Sequence, residues 1–218
     1  EAVYALPELF REQIVGKKLI SCPGCYPTAS ELALFPAIKR GLVETDAIVI
    51  DAKSGVTGAG RDHKPFAECN EGMSAYKVAQ HRHTPEIEQT LMKAANKRIR
   101  LTFVPHLLPI NRGVSCTCYA RLKLGATEER IREAYEDFYK DEYFIRLLLS
   151  GETANVKNVR MSNMCEISLH IDRRTGMLIV TSAIDNMIKG SVGQAVQNMN
   201  IVMGLDEKTG LDYIPPAF

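Results

Sequence analysis

The 218-residue sequence contains no apolar run near the roughly 18 residues that span a bilayer, and no segment has a signal-peptide pattern. It also has no excess of one charge, because 27 Lys and Arg residues against 26 Asp and Glu residues give a formal net charge of +1. A balanced chain has no overall electrostatic attraction to nucleic acid or to anionic membranes. We therefore expect neither nucleic acid nor membrane among its partners.

A disulfide framework is also lacking, because the six cysteines are not evenly spaced. In a chain of this length such cysteines are typical of reduced thiols, which predicts a cytoplasmic protein. A zinc site at Cys22 and Cys25 would need a second ligand pair. Cys116 and Cys118 are the candidates, but their spacing fits packing along a strand better. We expect no metal.

The dinucleotide-binding fingerprint G-x-G-x-x-G is missing near the N-terminus. The run Gly58-Ala59-Gly60 lacks the third glycine and the βαβ context. If the protein uses a dinucleotide, most of the site for it lies elsewhere.

Two kinds of periodicity predict the fold. Runs of alternating or β-branched apolar residues predict strands at Ala47–Ala52, Leu101–Val104, Val114–Leu124, Met164–Ile171 and Met177–Ala183. Helical patterns with start signals predict helices at Pro27 to about Arg40, Pro85–Arg98, Thr127–Lys140 and Asn186–Met203. Together they predict an α+β domain, in which a mixed, largely antiparallel sheet is covered by helices.

Cys25 lies between turn residues and the predicted helix at Pro27, where exposed N–H groups and the helix dipole favour a thiolate. It is either a reactive nucleophile or a buried structural cysteine beside a tight turn. Cys22, three residues upstream, leaves a redox disulfide open as an alternative. In thioredoxin-like motifs, however, the upstream cysteine is the one at the helix start.

His81 and His83 precede a predicted helix start, whose dipole helps to keep an imidazole neutral. A neutral imidazole there suits an acid/base role, although a metal pair or two solvated loop histidines fit the pattern as well. Two glycine-containing stretches are also candidate binding segments. Residues 51–61 follow a strand and offer N–H groups, hydroxyls and Arg61 to an anion, and Gly190 and Gly193 would destabilise the last helix unless backbone or ligand approaches closely.

Six stretches of the sequence resemble those of the N-acetyl-γ-glutamyl-phosphate reductase family. They are Pro-Gly-Cys-Tyr-Pro-Thr-Ala at 23–29, Ser-Gly-Val-Thr-Gly-Ala-Gly-Arg at 54–61, His-Arg-His-Thr-Pro-Glu-Ile at 81–87, Val-Pro-His-Leu at 104–107 with Asn-Arg-Gly at 111–113, Asp-Asn-Met-Ile-Lys-Gly at 185–190, and Tyr-Ala-Leu-Pro-Glu at 4–8. In the last stretch Ala5 replaces the family's usual glycine. The stretch at 81–87 argues against the related aspartate-semialdehyde dehydrogenases.

The resemblance implies a glyceraldehyde-3-phosphate-dehydrogenase-like C-terminal domain in a homo-oligomer. It implies NADPH-dependent reduction of an acyl phosphate, N-acetyl-glutamyl 5-phosphate, to the semialdehyde through a thioester. By the same resemblance the catalytic residues are Cys25 with His81 or His83, the substrate-binding residues are Ser54, Arg61 and Tyr76, and the residues near the nicotinamide are Thr57, Gly58, Asn186 and Gly190.

The resemblance also divides the chain into a catalytic and dimerisation domain, residues 1–184, and a terminal helical segment, residues 185–218. Family members begin with a Rossmann domain on which that segment packs, and this sequence does not contain it. We therefore expect a fragment that keeps the nucleophile but does not reduce substrate alone. The alternatives are a thiol-disulfide oxidoreductase that uses Cys22 and Cys25, and a non-catalytic dimerisation module.

Overall fold

The centre of the protein is a seven-stranded sheet, seen in a computed structural model that describes residues 2–59 and 66–215. Its strands are β3 (Ile48–Gly55), β4 (Ser74–Ala75), β5 (Leu101–Leu108), β6 (Val114–Arg121), β7 (Ile145–Leu147), β8 (Cys165–Asp172) and β9 (Met177–Ile184). Their order across the sheet is β4-β5-β3-β6-β9-β8-β7. Two further strands, β1 (Val3–Tyr4) and β2 (Ile20–Ser21), pair in parallel with each other.

The sheet is mixed, as predicted. β3 runs parallel to β5 and β7 runs parallel to β8, whereas the other neighbouring strands are antiparallel. Burial alternates along the long strands: on β6, Cys116 and Cys118 are buried while Thr117 and Tyr119 are partly exposed. This period of two gives the sheet a core face and an opposite, more exposed face.

The helices are α1 (Pro7–Ile14), α2 (Cys25–Lys39), α3 (Phe66–Cys69), α4 (His83–Ala95), α5 (Glu128–Tyr139), α6 (Val156–Val159) and α7 (Gly193–Met203). A 3₁₀ turn spans Val56–Ala59 and a π-helical turn spans Ile188–Val192. Helix α2 packs on β6 and β9 and contacts both α4 and α5, so it lies at the centre of the helical layer. In the described part of the chain, no helix is both long and apolar enough to cross a membrane.

Two helices begin two residues earlier than predicted, whereas the last, predicted from Asn186, begins at Gly193 as an α-helix. Helix α2 begins at Cys25 with Gly24 as its N-cap, two residues before Pro27, and α4 begins at His83, two residues before Pro85. Proline suits the first turn of a helix generally, so it marks a start only to within a few residues. Thr127, the first residue of the predicted third helix, is the N-cap of α5, because its Oγ1 accepts a hydrogen bond from the Arg130 N–H at 3.3 Å.

A proline inside α2 leaves one backbone carbonyl without its helical donor, and a tyrosine of α5 donates to this carbonyl instead. Pro36 has no N–H, so the Leu32 carbonyl four residues earlier loses its helical donor. The Tyr139 hydroxyl of α5 donates to that carbonyl at 2.6 Å, and both residues are buried. A neighbouring pair differs, because the Tyr135 hydroxyl donates to the Ala33 carbonyl, whose helical donor Ala37 is present in the sequence.

We expect Tyr139→Phe to lower the free energy of unfolding by about 1–3 kcal/mol, since the Leu32 carbonyl would be buried without a donor. In a Pro36→Ala background the restored N–H can donate to this carbonyl, so the same substitution should cost about 1 kcal/mol less. Urea unfolding of the four proteins measures the difference. Tyr135→Phe is the matched control, and its cost should not depend on Pro36→Ala. Equal costs for Tyr139→Phe in the two backgrounds would contradict this interpretation.

Candidate active site

Cys25 occupies the first position of α2, directly after the extended residue Gly24. The turn is fixed from two sides: the Thr28 N–H donates to the Gly24 carbonyl at 2.9 Å, and the Gly24 N–H donates to Glu86 Oε1 at 2.9 Å. The thiol is partly exposed and unpaired. The sequence-based expectation that Cys25 lies at a helix start is therefore confirmed.

Two cavities meet at Cys25. The first, of about 450 Å³, is lined by Cys25, Tyr26, Ser54, Gly55, Gly58, Tyr76, Lys77, His81, Arg82, His83 and Leu107. The second, of about 510 Å³, is lined by Cys22, Pro23, Gly24, Cys25, Thr57, Gly58, Arg82, His83, Asn186, Met187, Gly190, Ser191, Val192 and Ala195. The shared residues are Cys25, Gly58, Arg82 and His83. A thiol at this junction can reach molecules in both cavities.

His81 and His83 both lie beside Cys25, but in different roles. The His83 N–H donates to His81 Nδ1 at 3.1 Å, so a neutral His81 carries its proton on Nε2. His81 lines only the first cavity, whereas His83 lines both. A Cβ atom on Gly24 would lie 2.5 Å from His83 Nε2, so this ring lies directly against the residue before Cys25.

Both histidines are held neutral, as the sequence predicted, but burial is the leading cause. Burial lowers the pKa of His83 to about 4, with help from nearby His81 and Arg82. Burial also lowers the pKa of His81, and the charges of Lys77 and Arg82 act in the same direction. At pH 7 the site therefore contains two neutral imidazole rings close to two cations.

Aromatic rings form one wall of the first cavity. The Tyr76 hydroxyl donates to the Tyr26 hydroxyl at 3.1 Å, and the Tyr26 hydroxyl donates to the His106 carbonyl at 3.3 Å. The His81 ring lies edge-on to Tyr26, Tyr76 and Phe103. Tyr76 was predicted from the resemblance, but Tyr26 was not assigned a role. Its position directly after Cys25 was the available signal.

The predicted binding segments form the opposite wall. Ser54 is buried in the first cavity, and its hydroxyl donates to the Gly55 carbonyl at 3.1 Å. Asn186 Nδ2 donates to Thr57 Oγ1 at 3.0 Å, while Asn186 Oδ1 accepts the Gly113 N–H at 2.7 Å. The structure therefore brings Ser54, Thr57, Gly58 and Asn186 together, with Ser54 and Thr57 facing different cavities.

Gly190 lies directly against Cys25 in the second cavity. A Cβ atom at Gly190 would lie 2.6 Å from the Cβ of Cys25, closer than side chains approach each other. This close approach is the predicted reason for a glycine here. Because of this contact, backbone atoms of Gly190, rather than a side chain at this position, bound the second cavity beside Cys25.

Arg61 lies outside the described residues. The cations that the structure does place in the first cavity are Lys77 and Arg82, and the sequence analysis assigned neither a role. Arg82 stands between the two predicted histidines, which was the signal for it. Among residues 2–59 and 66–215, no cluster of three or more His, Cys, Asp or Glu side chains is arranged to hold a metal.

A buried acidic cluster lies behind the turn of Cys25. The Tyr4 hydroxyl lies 3.0 Å from both Glu31 Oε1 and Glu86 Oε1, and Glu86 also accepts the Gly24 N–H. Burial raises the pKa of Glu31 well above its usual range, and the nearby Glu86 acts in the same direction. The cluster holds the turn through the hydrogen bond between Glu86 and the Gly24 N–H.

The expectation that the helix start favours a Cys25 thiolate is wrong for this structure. Burial raises the pKa of Cys25 to about 11, and the N–H groups of Tyr26 and Cys25 only partly offset it. The nearby Glu86 raises it further. The thiol is therefore protonated at neutral pH and needs a base when it reacts.

Comparison with known proteins identifies relatives over the whole chain. A family profile described as the semialdehyde dehydrogenase dimerisation domain matches residues 25–186. N-acetyl-gamma-glutamyl-phosphate reductase of Brachyspira hyodysenteriae is 51% identical over 229 residues, which cover 100% of this chain and 65% of that protein. The protein of the same name from Clostridium beijerinckii is 52% identical, with 100% and 64% covered. The chain thus spans slightly less than two thirds of these relatives.

Solved structures show the same fold at much lower identity. Aspartate semialdehyde dehydrogenase II of Vibrio cholerae has a TM-score of 0.70 at 15% identity, covering 98% of this chain and 69% of that one. The enzyme of Francisella tularensis has a TM-score of 0.71 at 13% identity, covering 91% and 70%. This similarity supports the predicted glyceraldehyde-3-phosphate-dehydrogenase-like fold and carries no conclusion about the substrate.

We expect the rate of Cys25 alkylation by iodoacetamide to rise by about tenfold per pH unit from pH 7 to about pH 10, because only the thiolate reacts. Peptide mass spectrometry of the 218-residue chain measures the rate, and glutathione under the same conditions is the control. A Cys25 rate that levels off by about pH 8.5, the ordinary value for a thiol, would contradict the raised pKa.

Proposed function

Because the chain belongs to the semialdehyde dehydrogenase dimerisation-domain family, we propose that it is the catalytic part of an N-acetyl-γ-glutamyl-phosphate reductase. In this proposal an NADPH-dependent oxidoreductase converts N-acetyl-glutamyl 5-phosphate to N-acetyl-glutamate 5-semialdehyde in arginine biosynthesis, in the cytoplasm. Relatives of that name at about half identity support it. The observation that carries it is the position of Cys25 at the junction of two cavities with different linings.

The first cavity suits an acyl phosphate. Lys77 and Arg82 offer positive charge to the phosphate, and His81 can donate from Nε2. The buried Ser54 and the hydroxyls of Tyr26 and Tyr76 offer polar groups to the rest of the substrate. By resemblance Arg61, which lies outside the described residues, also binds a substrate anion.

His83 is the better placed of the two histidines for proton transfer with Cys25, since it lines both cavities and lies against Gly24. In the first step the Cys25 sulfur bonds to the acyl carbon, the carbon–oxygen bond to phosphate breaks, and His83 takes the thiol proton. The products are a thioester and free phosphate. His81 orients the substrate from the other side.

The second cavity fits the nicotinamide end of NADP. Its lining includes Thr57 and Gly58, the Asn186 amide that donates to Thr57, and Gly190, whose backbone lies directly beside Cys25. When bound, NADPH supplies the hydride that reduces the thioester carbonyl. The protonated His83 then stabilises the oxyanion and returns its proton to the Cys25 sulfur as the carbon–sulfur bond breaks.

Helix α7 supports the proposed division of the chain at residue 184. Its inward side chains are polar and buried, namely Gln194, Gln197, Asn198 and Asn200. Its outward face is apolar and exposed, with Val192, Ala195, Met199 and Met203 at helical spacing. An exposed apolar stripe on a polar helix is typical of a docking surface. We propose that it packs on the cofactor-binding part of the full-length protein, as the family resemblance implies.

The exposed sheet face supports a homo-oligomer, in keeping with the description of the matching family. Val49, Tyr119 and Ile179 lie side by side across β3, β6 and β9 on this face. Val49 is 36% exposed, and Tyr119 and Ile179 are also partly exposed. These three side chains give the face an apolar row, which an interface between two copies can bury.

The cysteine mechanism predicts a covalent intermediate that forms without NADPH. N-acetyl-glutamyl 5-phosphate should release phosphate and leave a hydroxylamine-sensitive acyl group on the Cys25 peptide, as read by mass spectrometry. Cys25→Ser should slow this reaction by at least about a thousandfold, since no other group replaces the thiol.

Cys22→Ser is the matched control, because Cys22 does not line the first cavity, and it should acylate at nearly the wild-type rate. An acyl group on Cys22, or phosphate release by Cys25→Ser at the wild-type rate, would contradict the mechanism. Loss of the reaction in Cys22→Ser would favour the dithiol alternative. NADPH oxidation by the 218-residue chain alone would contradict the proposed division of the chain.

We expect Thr117→Arg, in the middle of β6 on the exposed face, to shift sedimentation from a dimer towards a monomer, because two like charges would meet across a twofold axis. Thr117 is partly exposed, so the thermal unfolding of each subunit should change little. Glu133→Arg on the outer side of α5 is the control and should leave the dimer intact. A Thr117→Arg protein that remains dimeric would place the interface elsewhere.

A further inference from the structure

The most deeply buried cation of the described chain lies one residue from the contact between Gly190 and Cys25. Lys189 is fully buried, and its Nζ donates to Glu8 Oε1 at 2.5 Å and to Gln197 Oε1 at 2.8 Å. The ammonium group also lies 5.5 Å from the centre of the Phe144 ring. None of these groups lines either cavity, so the reaction proposed above does not use them.

The ion pair between Lys189 and Glu8 is also held by directional hydrogen bonds. Gln197 donates from Nε2 to Glu8 Oε1 at 3.0 Å, and Asn163 donates to Gln197 Oε1 at 3.0 Å. Burial alone would raise the pKa of Glu8, but Lys189 and these hydrogen bonds lower it overall, so Glu8 is ionised. Two apolar residues would fill the same space at similar or better stability. A buried ion pair that is held by these hydrogen bonds therefore indicates that the position of its side chains is required.

Lys189 belongs to the π-helical turn Ile188–Val192, so its side-chain contacts act on the conformation of this turn. The Gly190 N–H donates to the Asp185 carbonyl at 2.9 Å, and the Val192 N–H donates to the Met187 carbonyl at 3.1 Å. Five-residue spacing of this kind is rare and is found mostly at functional sites. Because Gly190 follows Lys189 directly, a shift of the lysine backbone moves Gly190 relative to Cys25.

We propose that Glu8, Lys189 and Gln197 are positioning residues, which hold the π-helical turn so that the Gly190 backbone covers Cys25 and fixes the width of the second cavity beside it. The lysine acts through position, since its ammonium group faces Glu8 on α1, away from both cavities. The proposal rests on the proposed function only in treating Cys25 as the nucleophile.

The test measures the covering of Cys25 directly. Iodoacetamide alkylation of Cys25 is followed as a function of pH in the 218-residue chain, with neither substrate nor cofactor, and the exposed Cys22 is the internal reference. In Lys189→Met the turn should retreat, so that Cys25 becomes more accessible and better hydrated. We expect the Cys25 to Cys22 rate ratio at pH 8 to rise by about fivefold or more, and the pH profile of Cys25 to move to lower pH.

Three further variants separate positioning from general stabilisation. Glu166→Gln breaks another buried carboxylate cluster, which receives Arg146 and Asn158 and shares no hydrogen bond with Lys189, and should lower the unfolding temperature without changing the ratio. Glu8→Gln keeps a hydrogen-bond acceptor and should have a smaller effect than Lys189→Met. The double variant Glu8→Leu with Lys189→Met should regain stability but keep the fast Cys25 reaction, because the directed bonds are absent.

The proposal is overturned if folded Lys189→Met keeps the wild-type ratio and pH profile, or if the double variant restores slow alkylation. If Lys189→Met does not fold, Glu8→Gln and the double variant decide in the same way. The acylation of Cys25 is read separately, so a failure of the proposed function would leave this result standing, and the reverse also holds.

Discussion

The site depends on one steric constraint, which is the close packing around the start of the helix at Cys25. The ring of His83 and the backbone of Gly190 approach this turn so closely that no other side chain fits between them and the turn. His83 lies against Gly24, and Gly190 lies against Cys25 itself. Each contact requires a glycine, and each brings in a segment from far along the chain. The two cavities follow from these contacts, because Cys25 is accessible only through the gaps that remain.

Enclosure of this kind has an electrostatic consequence. Removal of water raises the pKa of Cys25 to about 11 and lowers that of His83 to about 4, so both groups are neutral at pH 7. In the proposed mechanism, charge develops on these two groups only when the proton moves from sulfur to nitrogen. The protein keeps its fixed charges, Lys77 and Arg82, at the side of the first cavity, where an anionic substrate would meet them. Because Cys25 and His83 are neutral and Lys77 and Arg82 lie close by, the site at rest favours an anionic ligand over a cationic one.

Much of this arrangement could be predicted from the sequence, because part of it is local. The alternation at Val114–Leu124 and Met177–Ala183 predicted β6 and β9, since a period of two is a property of each strand alone. The motif stretches predicted most residues around Cys25. The thiolate was predicted wrongly, because the helix dipole is visible in the local sequence, whereas the burial by His83 and Gly190 depends on tertiary structure. For the same reason Tyr26, Lys77 and Arg82 were not assigned roles.

Helix α7 shows most clearly why the sequence predicts that a helix forms but not which of its faces is buried. Its periodicity predicts a helix correctly, but the usual rule that apolar side chains face the interior gives the wrong orientation. The buried side holds Gln194, Gln197 and Asn198, and the exposed side holds Met199 and Met203. Buried polar side chains need hydrogen-bond partners, and Gln197 has them, because it donates to Glu8 and accepts from Lys189. Gln197 of this helix therefore belongs to the same hydrogen-bonded network as Lys189, the residue before Gly190. If the two proposals above hold, one set of contacts both shapes the cavity beside Cys25 and presents the apolar face of α7 for docking.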